Sequence, residues 1–263
     1  MLKKLLKYDL LKVFKFMSLF YILAMVFAII TRILFKIDNS FLIGILAQIS
    51  NGVTITLMIN ILINTIMRLW VGFKYNLYKD ESYLTHTLPV SRKELYLSKI
   101  ITGIITMFVS IFVIFIVLFI AYYSKENMKV LKDFFVSFVS LYDSKVSVFL
   151  LVIFFIFFVE MANLLQVGYT GIILGHRMNQ NKNLFSVVFG FITYLLTQVF
   201  VLLFLFGIAI FNSDIMNLFI TEEVIPIDIL KTLAILSIFV YTLSIIVCCL
   251  INIKLLKKGV NVE

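Results

Sequence analysis

Glu160 is the only acid deep inside an apolar run of this sequence. The run reads VSVFLLVIFFIFFVEMANLLQ, and Asn163 and Gln166 follow the acid at helical spacing. A charged, unpaired carboxylate at the bilayer centre costs roughly 2.5–3.5 kcal/mol on insertion scales. Such a group is expected to be neutralised by a proton, paired with a cation (Arg68 and Arg32 are the candidates), or turned toward water. A second polar series, Thr56, Asn60 and Asn64, recurs at every fourth residue, with Arg68 one step further. Residues at that spacing share one slowly turning stripe of a helix. Polar side chains at membrane depth face other helices or a wet cavity rather than lipid. Two readings stand: hydrogen bonding between helices, and a translocation path lined by Thr56, Asn60, Asn64, Glu160 and Asn163.

Other residue types with chemical capacity lack the company that chemistry needs. The sequence has no G-x-x-x-x-G-K-[ST] phosphate loop, no H-E-x-x-H and no G-x-S-x-G. Glu222 and Glu223 are adjacent acids, without the Arg and His at helical spacing that an intramembrane protease would require. Cys248 and Cys249 are neighbours in an apolar run and read as packing residues. His86 and His176 have no Cys or carboxylate at ligand spacing and read as surface polar residues. No catalytic, metal or cofactor site is therefore expected, and the chain reads as a non-enzyme.

The elements that carry these residues are membrane spans. Of the 263 residues, 62% are hydrophobic and only 14% are charged, against about 25% charged in soluble domains. A surface so poor in charge requires lipid around it. The apolar runs are about twenty residues or longer, which suits helices crossing a core of about 30 Å rather than barrel strands of about ten residues. The net charge of +9 would suggest nucleic acid in a soluble protein. Here the cations flank apolar runs, so membrane topology explains them and no nucleic-acid partner is expected.

The expected fold is all-α and integral to the membrane, a single transmembrane domain over residues 1–263 with six spans. Residues 1–16 read as an interfacial amphipathic helix, with Leu2, Leu6, Leu10, Val13 and Met17 on one face and Lys3, Lys4, Lys7 and Lys15 on the other. Spans follow at about 17–35, 41–73, 100–122, 146–174, 184–211 and 229–253. The second is long enough to project from the bilayer, unless its turns around Gln48 to Gly52 are broken. Residues 124–145 read as a short interfacial helix whose Leu131, Phe134, Phe135 and Phe138 share a face. Gly171 and Gly175 form a GxxxG step, a weak sign of close helix packing. With the N-terminus inside, residues 1–16, 68–99, 176–183 and 254–263 hold 16 of the 23 Lys and Arg. The positive-inside rule then places both termini in the cytoplasm.

Lys74 to Lys99 is the main polar interruption on that basic side and contains Pro89, one of two prolines. A short helix is expected from Asp80 through Leu88, with Glu81 in its first turn and Pro89 ending it. Ser91 and Glu94 form an S-x-x-E capping box that starts a second helix running on into the third span. The segment is thus a stiff elbow that presents Arg92, Lys93 and Glu94.

The run DESYLTHTLPVSRKELYLSKI resembles the loop between the second and third spans of type-2 ABC transporter permeases, the ABC-2-type family. The likeness rests on Glu81, Leu84, Leu88, Pro89, Val90, Ser91 and Lys99, and the six-span layout agrees with it. The resemblance implies a cytoplasmic coupling helix, with Asp80, Glu81, Leu84, Leu88, Pro89, Ser91, Arg92 and Glu94 forming the loop that docks on a separate ATPase. ATP and Mg would be bound by that partner, and a second permease copy or paralogue would complete the unit, surrounded by membrane lipid. The implied function is the permease subunit of an exporter in the cytoplasmic membrane, moving an amphipathic or hydrophobic substrate such as a peptide or drug. The alternative is a membrane sensor or assembly partner that docks a cytoplasmic protein without transport. The family's dip into the outer leaflet between spans five and six would fall on Ile215 to Ile225.

Overall fold

The computed structural model describes residues 2–37, 41–140, 146–211, 215–216 and 227–259. The expectations for Glu222 and Glu223, and for most of the Ile215–Ile225 dip, lie outside the described residues. Among the described residues there are eight helices and no strand. They are α1 (Leu2–Lys36), α2 (Phe41–Tyr78), α3 (Ser82–Thr87), α4 (Arg92–Tyr122), α5 (Lys125–Ser140), α6 (Val146–Gly175), α7 (Lys182–Ala209) and α8 (Ile227–Lys257). Six of them, α1, α2, α4, α6, α7 and α8, are long and apolar enough to cross a membrane. The protein is an all-α, multi-pass membrane protein, as its composition requires.

Two boundaries differ from the sequence reading. The interfacial helix and span one are a single 35-residue helix with no break at Met17, about 52 Å long at 1.5 Å per residue. Nothing in that stretch interrupts it, because it contains neither Gly nor Pro. Span two is also unbroken, at 38 residues, or about 57 Å. Gly44 and Gly52 stay within regular helix, so the break expected as one alternative around Gln48 to Gly52 is absent.

The chain divides into two compact units. The first holds Met1–Phe73 and Pro89–Lys132, and the second Lys74–Leu88 and Asp133–Glu263.

In the first unit α1 packs along α4. Met17, Tyr21, Ala24, Ala28 and Thr31 form the buried stripe of α1. Facing residues of α4 include Ser98, Thr102, Thr106 and Ser110, all buried and spaced by four. Small side chains at this spacing let helices approach closely, which is how membrane helices gain contact when lipid is as apolar as leucine. Hydroxyls then tie in α2. Ser110 Oγ lies 2.7 Å from both Tyr21 Oη and Thr65 Oγ1, and Thr31 Oγ1 lies 2.7 Å from Ser50 Oγ and 2.9 Å from Thr54 Oγ1.

In the second unit α6, α7 and α8 pack on one another. The GxxxG step is a true crossing point. A Cβ on Gly171 would lie 2.6 Å from the Gly190 backbone and the Ser186 carbonyl, and one on Gly175 would lie 2.3 Å from Ser186. Ser186 and Gly190 are themselves four apart, so two small-residue ridges meet. Asn252 Nδ2 donates to Thr170 Oγ1 at 3.0 Å, and Thr197 Oγ1 lies 3.2 Å from Ser244 Oγ. Cys248 is buried and packs as a small side chain.

Candidate functional site

The polar segment after α2 is a helix, a proline corner and a helix. α2 runs to Tyr78, so the first five residues of Lys74–Lys99 are helical rather than loop. α3 spans Ser82–Thr87, shorter than the expected Asp80–Leu88. Glu81 occupies the N-cap position and not the first turn. Its backbone is helical (φ −82°, ψ −10°) and its side chain makes no capping bond. The Ser82 amide is instead taken by the Lys79 carbonyl at 2.7 Å in a preceding turn. Thr85 Oγ1 donates to the Glu81 carbonyl, Thr87 Oγ1 to the Leu84 carbonyl, and His86 Nε2 lies 3.1 Å from the Leu77 carbonyl. These local bonds hold a helix too short to persist alone. Leu88 is extended, with ψ 139°, as the residue before proline must be.

The α3 side presents apolar surface outward. Tyr83 is 66% exposed and Leu84 74%, with Leu88 exposed as well. Asp80 is exposed and Glu81 half-buried. The second unit holds the base of this segment through the Tyr78 ring, which lies 4.2 Å from that of His176, and through a hydrogen bond from Lys74 Nζ to Asn183 Oδ1. His176 is therefore not a surface residue: it is 0% exposed, and its Nδ1 lies 2.9 Å from the Ile172 carbonyl.

The α4 side belongs to the first unit. The expected capping box is present in both directions. Glu94 N donates to Ser91 Oγ at 3.2 Å, and Ser91 N donates to Glu94 Oε2 at 3.1 Å. Pro89, Ser91 and Arg92 are exposed and Glu94 is half-buried. Two turns on, Lys99 Nζ reaches Asp9 Oδ1 at 2.5 Å, and Ser98 Oγ donates to Asp9 Oδ2 at 2.8 Å. Sequence reasoning misses Asp9, although a signal is there. It is the only acid in the first 37 residues, on a helix otherwise rich in lysine.

The stripe on α2 remains on one face. Thr56 Oγ1 donates to the Gly52 carbonyl, Asn60 Nδ2 to the Thr56 carbonyl and Asn64 Nδ2 to the Asn60 carbonyl, at 2.8–3.0 Å. Each side chain spends one donor on the turn before it. Thr56 is exposed and the two asparagines are half-buried. Buried polar residues of α2 include different ones, Ser50, Thr54 and Thr65. Arg68 lies over the Phe16 ring, 5.0 Å from its centroid, a cation–π contact.

Glu160 and Asn163 lie on α6 in the second unit. Glu160 is half-buried. Asn163 is 1% exposed, and its Oδ1 has no hydrogen-bond partner among the described residues. An orphaned buried amide oxygen is costly, so this is a polar, unsatisfied point inside the helix trio. No protein-family model, curated protein or solved structure matches the chain.

Proposed function

We propose that this chain is the membrane subunit of an ATP-driven exporter of the ABC-2 type, in the cytoplasmic membrane with both termini inside, docked through α3 by a separate ATPase. The observation that carries this reading is the pair Tyr83 and Leu84, exposed on a short helix outside the spans. Solvent-exposed side chains with large apolar area on a well-held polar segment suit a partner groove, and acids at Asp80 and Glu81 border them. Leu88, Pro89, Ser91, Arg92 and Glu94 continue the same segment. The lack of a phosphate loop in these 263 residues agrees with ATP and Mg being held by the partner.

The segment is built to transmit force. Three residues, Lys79–Glu81, join α2 to α3, and four, Leu88–Ser91, join α3 to the capped start of α4. Displacement of α3 by ATPase closure is passed directly to two long helices. Thr56, Asn60 and Asn64 on α2 in the first unit, and Glu160 and Asn163 on α6 in the second, are each proposed as polar groups that meet an amphipathic or hydrophobic substrate, with a second copy or paralogue completing the transporter.

Co-purification with an ATPase carrying a Walker motif tests the reading. Leu84→Asp, Glu81→Lys or deletion within 80–88 should abolish co-purification and leave membrane insertion intact. Retained co-purification in all three variants would sink the docking assignment. A partner that binds without nucleotide-dependent transport would favour the sensor or assembly reading.

A further inference from the structure

One end of the helix trio in the second unit gathers cations from all three helices, and the segment held there by Tyr78 and Lys74 goes on to Asp80 and Glu81. α6 ends at Gly175, Arg177 follows, α7 begins at Lys182, and α8 ends at Lys257 with Lys258 beyond it. Arg177 Nη2 donates to the Leu255 carbonyl at 2.9 Å, which fixes its guanidinium against the last turn of α8. The crossing at Gly175 and Ser186 brings the first turn of α7 to the same end. Arg177, Lys254, Lys257 and Lys258 are exposed and Lys182 is half-buried. None of the five makes an ion pair among the described residues. From Met161 to Phe211, and again from Thr232 to Gly259, the sequence contains no Asp or Glu.

Uncovered apolar surface begins directly beside these charges. On α8, Leu250, Lys254 and Lys257 fall at i, i+4 and i+7 and share a face; Leu250 is 64% exposed. On α7, Leu184, Val187 and Phe191 form an exposed series, with Val187 at 74%. A cationic end continuous with an apolar flank matches an amphiphile with an anionic head. A soluble acidic protein would meet the charges and leave the flank bare, and a zwitterionic lipid carries its own cation.

We infer that Arg177, Lys182, Lys254, Lys257 and Lys258 form a binding site for an anionic phospholipid, whose phosphate lies among the cations and whose chains lie along α7 and α8. The bond that Arg177 makes to Leu255 pre-positions one donor, and the negative end of the α8 dipole holds the lysines near it. The inference uses the membrane-spanning fold and does not depend on the exporter reading.

The test uses the purified full chain in phosphatidylcholine nanodiscs, with thermal unfolding followed as phosphatidylglycerol is titrated in. Phosphatidylglycerol should raise the melting temperature of the native chain. Extra phosphatidylcholine, or inorganic phosphate alone, should not. K257Q/K258Q should weaken the apparent affinity for phosphatidylglycerol roughly thirty-fold and K254Q about fivefold, from ~1 kcal/mol per cation near the surface. K129Q/K132Q in α5 should leave it unchanged. The site is overturned if phosphate or phosphatidylcholine stabilises equally, or if both α8 variants titrate as the native chain does. For a variant too unstable to melt, phospholipid retained through purification is identified by mass spectrometry. Selective loss of phosphatidylglycerol there supports the site, and unchanged retention overturns it.

Discussion

Asp9 and Lys99 form a largely buried ion pair between α1 and α4, with Nζ to Oδ1 at 2.5 Å and side chains 15% and 11% exposed. Ser98 completes the carboxylate's bonding. The pair lies two turns past the capping box, so the start of α4 is held by its own cap and by α1. Withdrawing two charges from water is expensive, and removing one partner strands the other. Asp9→Asn or Lys99→Met alone should each destabilise the chain by about 3 kcal/mol. The double variant should recover a large part of that loss. A double-mutant cycle in detergent-solubilised protein reads both; additive losses would mean the pair is not coupled.

Gly171 and Gly175 should be intolerant of a methyl group in a way that Gly207 is not. A Cβ at either meets backbone of α7 within 2.6 Å, whereas one at Gly207 meets nothing within 4 Å. Gly171→Ala and Gly175→Ala should each cost about 1–3 kcal/mol through overpacking. Gly207→Ala should be neutral or slightly stabilising, since alanine favours a helix interior. Thermal unfolding of the three variants checks the contrast.

Ser91→Ala removes one arm of the capping box and should cost about 1 kcal/mol. The loss is local. Amide hydrogen exchange should speed up in the first turn of α4, around Arg92 to Leu95, with little change at Ser110. Ser91→Asp should restore protection, because a carboxylate caps a helix start as well as a hydroxyl does.

The α2 stripe allows a comparison of stability with function. Asn60→Leu and Asn64→Leu each remove an amide that spends a donor on its own helix. If these residues line the path, transport by the reconstituted complex should fall while stability is unchanged. A rise in melting temperature with transport intact would show instead that leucine suits the site better, as it would at a lipid-facing position.

The sequence by itself determined the membrane-spanning class, the number of spans and the capping box. Those follow from local chemistry: run length against bilayer thickness, proline's missing donor, and a Ser and a Glu three residues apart. It also marked Tyr83 and Leu84 for helix, because they sit between Asp80 and Pro89. Contacts distant along the chain were decided by tertiary structure alone. No local rule brings Asp9 to Lys99, or tells whether Gly171 meets lipid or Gly190. His176 looks like a loop residue because it follows a helix end, yet the Tyr78 ring covers it. Thr56, Asn60 and Asn64 look equivalent to Ser50, Thr54 and Thr65 in composition. Which set faces inward depends on the hydroxyls that α1 and α4 offer, and those sit far away in the chain.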